Sequence, residues 1–162
     1  PFPITSIIKN MLGDSINAVT ALSNTHDFYN ATIPAGNLTG TSEEISRFYQ
    51  MLLDDGRYQE QQICQPVTVQ RFIQPHGSMQ FDRNLMCPMR YSAGLMLGAD
   101  PVGMWGHQSG QAFGHIGLIN KLFWADKKRN ISVALNTTGM PIIANHMPAL
   151  INFIAQINRC CK

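Results

Sequence analysis

Charge is what this sequence most lacks. Lysine, arginine, aspartate and glutamate make up 14% of its 162 residues, where about a quarter is usual for a soluble domain. A surface this short of charge reads as one that something else partly covers. No basic stretch exceeds Lys127-Lys128-Arg129 and the net charge is only +2, so no nucleic-acid partner is implied. No apolar run reaches the ~18 residues of a membrane span. The chain opens Pro1-Phe2-Pro3, with neither an initiator Met nor a basic-then-apolar leader, and that opening reads as a processed or partial chain. Cysteine is scarce as well. Cys64, Cys87, Cys160 and Cys161 show no C-x-x-C spacing, and His26, His76, His107 and His146 have no partner at helix or strand spacing, so no metal site is expected. The cysteines read as free thiols of a reducing compartment, which favours the cytoplasm. Sequons at Asn30, Asn37, Asn130 and Asn136 would matter only in a secretory setting.

What is present is a 44% hydrophobic chain, long enough for one domain with a core. Ile4, Ile7, Ile8, Met11 and Leu12 predict a short helix ended by Gly13, and residues 14–24 a second. Thr41-Ser42-Glu43-Glu44 spells a capping box. Ile45, Phe48, Met51 and Leu52 follow at helical spacing, and Asp54-Asp55-Gly56 stops that helix. Pro66 opens another, running through Val69 and Phe72 to Pro75. Residues 75–88 read as polar and irregular. Met89–Leu97 reads as a strand and the glycine-rich 99–111 as a loop. Leu118–Ala125 and Ile131–Asn136 read as strands joined by a charged turn. Residues 141–158 close the chain as a helix with Ile143, Met147, Leu150, Ile151 and Ile154 on its apolar stripe. The class is therefore α+β, an antiparallel sheet of about three strands flanked by helices. Residues 1–88 are mainly helix and loop, and 89–162 the sheet plus a C-terminal helix. One helix on a small sheet would leave a face and the outer edges open, which predicts poor solubility or association.

Three segments carry a resemblance: PAGNLTGTSEEISRFYQMLLDDGRY, then MRYSAGLML, then AFGHIGLINKLFWADKKRNISVALNTTG. In this order and spacing they resemble the C-terminal half of the β-lactamase-related serine hydrolases, a family of class C β-lactamases, penicillin-binding proteins and family VIII carboxylesterases. The esterase-like members are the most similar. The resemblance implies the β-lactamase/transpeptidase-like fold, with a nucleophilic serine and a lysine as S-x-x-K, a Y-x-N or S-x-N loop, and a K-T-G or H-x-G triplet on the edge strand.

His115-Ile116-Gly117 matches the third part. By resemblance His115 faces the cleft, Gly117 leaves room for a substrate, and the Leu118 N–H donates to the oxyanion. Ile116, Asn37 in the pocket-floor loop and Trp105 at the rim are the substrate-binding candidates, with Asn136 and Thr138 behind them. A structural histidine capping a turn is the alternative for His115, and simple packing the alternative for Trp105. Ser6-Ile7-Ile8-Lys9 and Ser15-Ile16-Asn17 spell the other two parts but stand too close to the segment at 34–58, and are read as chance matches. The true nucleophile is expected in a missing N-terminal half of the same fold. The substrate implied is a small-molecule ester or amide. An ester is favoured over a β-lactam because His115 stands where K-T-G carries lysine. Neither cofactor nor metal is implied. This chain alone would then be inactive. The other reading is a non-catalytic module binding a partner through an uncovered sheet.

Overall fold

The structure is a computed structural model that describes residues 13–33, 36–83, 85, 87–117, 121–137 and 147–161. It divides into two compact units, Pro1–Gly40 and Thr41–Lys162. In the first, helices α1 (Ile16–Ser23) and α2 (His26–Asn30) follow one another. Ser15 caps α1 by accepting the Ala18 N–H at 3.3 Å, and Thr25 caps α2 by accepting the Phe28 N–H at 3.3 Å. Ser15, the serine of the S-x-N spelling, is thus a helix cap. The helix expected at 4–12 lies outside the described residues, as do Ser6 and Lys9.

The second unit opens with α3 (Ser42–Leu53). Its capping box is formed as the sequence predicts: Thr41 Oγ1 accepts the Glu44 N–H at 3.2 Å, and Glu44 Oε2 accepts the Thr41 N–H at 2.8 Å. At the other end Asp55 takes the left-handed conformation (φ 50°) at the first position past the cap, and Gly56 follows at φ 88°. Gly56 supplies the N–H that closes back on the Met51 carbonyl at 2.8 Å, a Schellman ending. A small hairpin follows, β1 (Arg57–Tyr58) with β2 (Gln61–Gln62), and then α4 (Pro66–Ile73).

The main sheet is wider than three strands. Its order is β10-β9-β8-β5-β4-β3, every neighbouring pair antiparallel. The strands are β3 (Gln80–Asp82), β4 (Cys87–Tyr91), β5 (Met96–Leu97), β8 (Ala112–Gly117), β9 (Lys121–Asp126) and β10 (Ile131–Leu135). The expected strand at Met89–Leu97 is two strands because Ser92 turns the chain: its Oγ accepts the Leu95 N–H at 3.0 Å, and its N–H reaches the Leu95 carbonyl at 2.9 Å. The irregular stretch 75–88 hides β3. The 99–111 loop contains a short hairpin, β6 (Val102–Gly103) with β7 (Gly106–His107). The hairpin of β9 and β10 forms as predicted, Val133 opposite Trp124.

Period-2 alternation splits the sheet's side chains between two cores. On one face Phe113, Phe123, Ala125, Leu95 and Leu97 meet Tyr49 and Leu52 of α3 and Val69 of α4. On the other face Ala112, Leu122, Trp124, Met89 and Met96 meet Trp105 and Ile154. Ile154 belongs to α5 (Met147–Cys160), which also brings in Leu150 and Ile157. Each face of the sheet thus carries a core among the described residues, with α3 and α4 on one side and α5 on the other. Ile151 does not belong to the buried stripe, since it is 61% exposed. The first residues of the predicted helix, 141–146, lie outside the described residues.

Polar contacts set α3 antiparallel to β10. Asn136 donates to Ser42 at 3.0 Å, Ser132 to Gln50 at 3.4 Å, and Lys127 to Asp55 at 3.4 Å. A buried ion pair closes the β9–β10 turn, Arg129 Nη1 standing 2.5 Å from Asp126 Oδ2. The same guanidinium donates to the His107 and Gln108 carbonyls at 3.0 and 3.1 Å. Both charges are desolvated, so the pair holds only because each is hydrogen-bonded elsewhere too. It ties the 99–111 segment to the hairpin beside β8.

Candidate active-site edge

The H-x-G triplet lies within β8 and not in a turn. Gly114 has a packing reason. A Cβ on Gly114 would stand 2.1 Å from the Phe123 carbonyl oxygen and 2.5 Å from the Trp124 Cβ, so only glycine lets β8 lie this close to β9. At Gly117 a Cβ would meet little but the Lys121 Cβ, at 3.3 Å.

The two ends of β8 differ in their neighbours. On one side β9 runs its full length, from Ala112 opposite Asp126 to Gly117 opposite Lys121. On the other side β5 pairs only Phe113 and Gly114, opposite Leu97 and Met96. The Ala112 carbonyl accepts the Gly98 N–H at 2.7 Å on that side. In an antiparallel ladder every second residue aims its N–H and carbonyl the same way. Gly114 and Ile116 therefore aim theirs toward β5 as well. Ile116 finds no strand partner there among the described residues. Its N–H and carbonyl are an open rung beside the His115 side chain.

His115 itself is exposed. It shares a face with Phe113, opposite Phe123 of β9, and its imidazole makes no hydrogen bond among the described residues. A turn-capping role does not describe it. An exposed, unengaged imidazole on an open strand edge is free to donate to or accept from a bound molecule.

The other candidates separate. Ile116 turns its side chain to the opposite face, where it packs against the core under α5; only its backbone belongs to the edge. Trp105 has no exposed surface, stacks on Trp124 with ring centroids 5.5 Å apart, and donates its indole N–H to the Met96 carbonyl at 3.0 Å. That is the packing alternative. Asn37 belongs to the N-terminal unit, where its amide donates to the Phe28 carbonyl at 2.9 Å and the Ala31 carbonyl at 2.5 Å, closing the end of α2. Asn136 holds Ser42. Leu118 and Thr138 lie outside the described residues.

Tyrosine supplies no base at this edge. Burial first, and then donation to Asp82 Oδ2 at 2.5 Å, push the Tyr91 hydroxyl well above its ordinary value. It also shares a face with Met89, across the sheet from His115. Burial likewise raises Tyr49. Among the described residues no serine hydroxyl is hydrogen-bonded to a lysine, tyrosine or histidine, and no group of His, Cys, Asp and Glu could hold a metal.

The family model described as Beta-lactamase matches residues 9–154. The chain belongs to the beta-lactamase family. No curated protein sequence matches it. Among solved structures it is similar to a family VIII carboxylesterase, with TM-score 0.70 and 22% identity over 86% of this chain. It is also similar to a penicillin-binding protein homologue from Caulobacter crescentus, with TM-score 0.60 and 22% identity over 68% of this chain. These likenesses establish the shared fold. This beta-lactamase-family chain spans 37% of the length of the carboxylesterase and 29% of that of the homologue.

Proposed function

We propose that this chain forms the substrate-facing strand edge of a serine hydrolase that acts on ester or amide carbonyls through an acyl-enzyme. The open half of β8 carries the reading. Among the described residues it presents an unengaged imidazole at His115 and an unpaired N–H and carbonyl at Ile116, next to a glycine. A substrate carbonyl or amide can lie along such a rung and be held by its hydrogen bonds, with His115 beside it. In the reaction a serine oxygen adds to the carbonyl, the alcohol or amine leaves with a proton, and water then releases the acid.

The serine and its lysine lie outside these 162 residues in this reading. It is supported by the chain's spanning 37% of the length of the carboxylesterase. Esters are favoured over β-lactams because an imidazole puts no fixed positive charge where a carboxylate would dock.

The reading is tested with a fluorophosphonate probe and p-nitrophenyl acetate on the purified chain, beside Ser6→Ala. Neither stoichiometric labelling nor turnover is expected. Labelling and turnover abolished by Ser6→Ala would make Ser6 the nucleophile and overturn the placement of the serine elsewhere. Intact mass of the polypeptide from its source gives the companion check: a longer chain containing an S-x-x-K helix is expected, and a mature chain without one contradicts the hydrolase reading.

A further inference from the structure

A second recess opens on the face of the sheet that α3 and α4 cover, toward the Ala112 end of β8. It is a cavity of about 280 Å³ between the end of α4 and the sheet, with Ile73, Leu97 and Phe113 as apolar wall and Arg90, Gly110 and Lys127 among its polar lining. His115 does not line it. Arg90 is its distinctive group. The guanidinium donates through Nη2 to the Gly98 carbonyl at 2.7 Å and the Gly110 carbonyl at 3.1 Å. Its Nε–H is buried without an acceptor among the described residues. No carboxylate stands within ion-pair distance of it among the described residues. A guanidinium has five donors and a full charge. Among the described residues, protein groups answer two of those donors with neutral carbonyls and place no countercharge against the guanidinium.

The nearby acids do not fill that role. Asp100 accepts the Gly110 N–H at 3.0 Å, and Asp55 stands 3.4 Å from Lys127 in a pair whose aspartate side is half exposed. The Lys127 pair is long and screened by water, so it holds the ammonium weakly. An incoming anion can share that cation.

We propose that this cavity binds a small organic carboxylate, its charged end toward Arg90 and Lys127 and its apolar end against Ile73, Leu97 and Phe113. The mixture of lining sets the class. Two cations ask for an anion, and the apolar wall rejects one that is charged all over, such as phosphate. The volume falls just below the range of about 300–1,000 Å³ typical for drug-sized ligands, so the occupant is small. A planar carboxylate suits the fork of Arg90. The site is separate from the His115 edge and does not depend on the hydrolytic reading.

Sodium benzoate is the probe, and benzyl alcohol at matched ionic strength its neutral counterpart, each titrated into the chain while amide NMR signals are followed. Benzoate is expected to give saturable shifts at Gly98, Gly110 and Phe113, with benzyl alcohol weaker by roughly tenfold or more. Arg90→Met is expected to abolish the shifts, Arg90→Lys to weaken binding and Lys127→Met to weaken it less. Failure to saturate overturns the site, as does benzyl alcohol binding as tightly as benzoate. Should Arg90→Met not fold, Arg90→Lys decides: affinity unchanged from the parent chain contradicts the role given to the guanidinium fork.

Discussion

Ala112–Gly114 and His115–Gly117 are successive halves of one strand in opposite surroundings. The first three residues are all buried, hydrogen-bonded toward strands on both sides, and pressed against β9 so closely that Gly114 tolerates no side chain. The last three are exposed or half-buried and paired on one side only. The contrast follows from a detail two strands away. Ser92 turns the chain so that β5 starts at Met96 and does not reach Ile116. One half of β8 anchors the strand and the other presents it. Residues in the first half should be intolerant for reasons of stability, and His115 dispensable for stability but not for activity.

Trp124→Ala attacks the anchored half hardest. It removes a fully buried ring stacked on Trp105 and should cost about 3–5 kcal/mol, measured by urea unfolding. Gly114→Ala comes next. The added methyl meets backbone and should pry β8 from β9 at a cost of about 1–3 kcal/mol; a neutral result would mean that the strands lie less close than drawn.

A control far from β8 sits at the α3 cap. Thr41→Ala should cost about 1 kcal/mol. The Thr41 N–H first, and its hydroxyl second, hold the Glu44 carboxyl below its ordinary value. A lowered carboxyl pKa stabilises the fold above the unfolded value and loses that contribution as pH falls through the folded one. The Thr41→Ala penalty should therefore shrink between pH 7 and about pH 3. A penalty independent of pH would show that the Thr41 hydroxyl adds nothing to the hold on Glu44, whose hydrogen bond to the backbone N–H survives the change. Smallest in stability is His115→Ala, within about 0.5 kcal/mol of the parent, since the imidazole is exposed and has no hydrogen-bond partner among the described residues. In a polypeptide that carries the nucleophile, the same change should lower kcat more than it raises KM, because the contact strengthens in the transition state.

The sequence revealed most where its signals are local. The capping box at Thr41, the stop after Leu53, Pro66 at a helix start and the charged β9–β10 turn are each written in a few adjacent residues, and each forms. The two-residue β5 and three-residue β3 have no periodicity to read, because they exist only by pairing with distant strands. A strand at 112–117 was legible only through the family resemblance, and the Gly114 that interrupts its pattern serves close approach to β9. Of the site, the H-x-G triplet was legible through family resemblance. That Ile116 offers its backbone and hides its side chain depends on strand parity and on where β5 begins. Trp105 looked like a rim residue because it sits among glycines; its burial comes from Trp124, nineteen positions away by residue number, and from Asn158 of α5, which donates to the Trp105 carbonyl at 2.7 Å.

Amide hydrogen exchange along β8 tests the central claim most directly, since both halves are read in one experiment on the chain itself. Gly114, aimed at β5, should exchange only through large-scale opening of the sheet. Ile116, aimed the same way with no strand to meet, should exchange orders of magnitude faster. Equal protection at the two amides would mean that the edge beside His115 is already occupied, and that no substrate is received there.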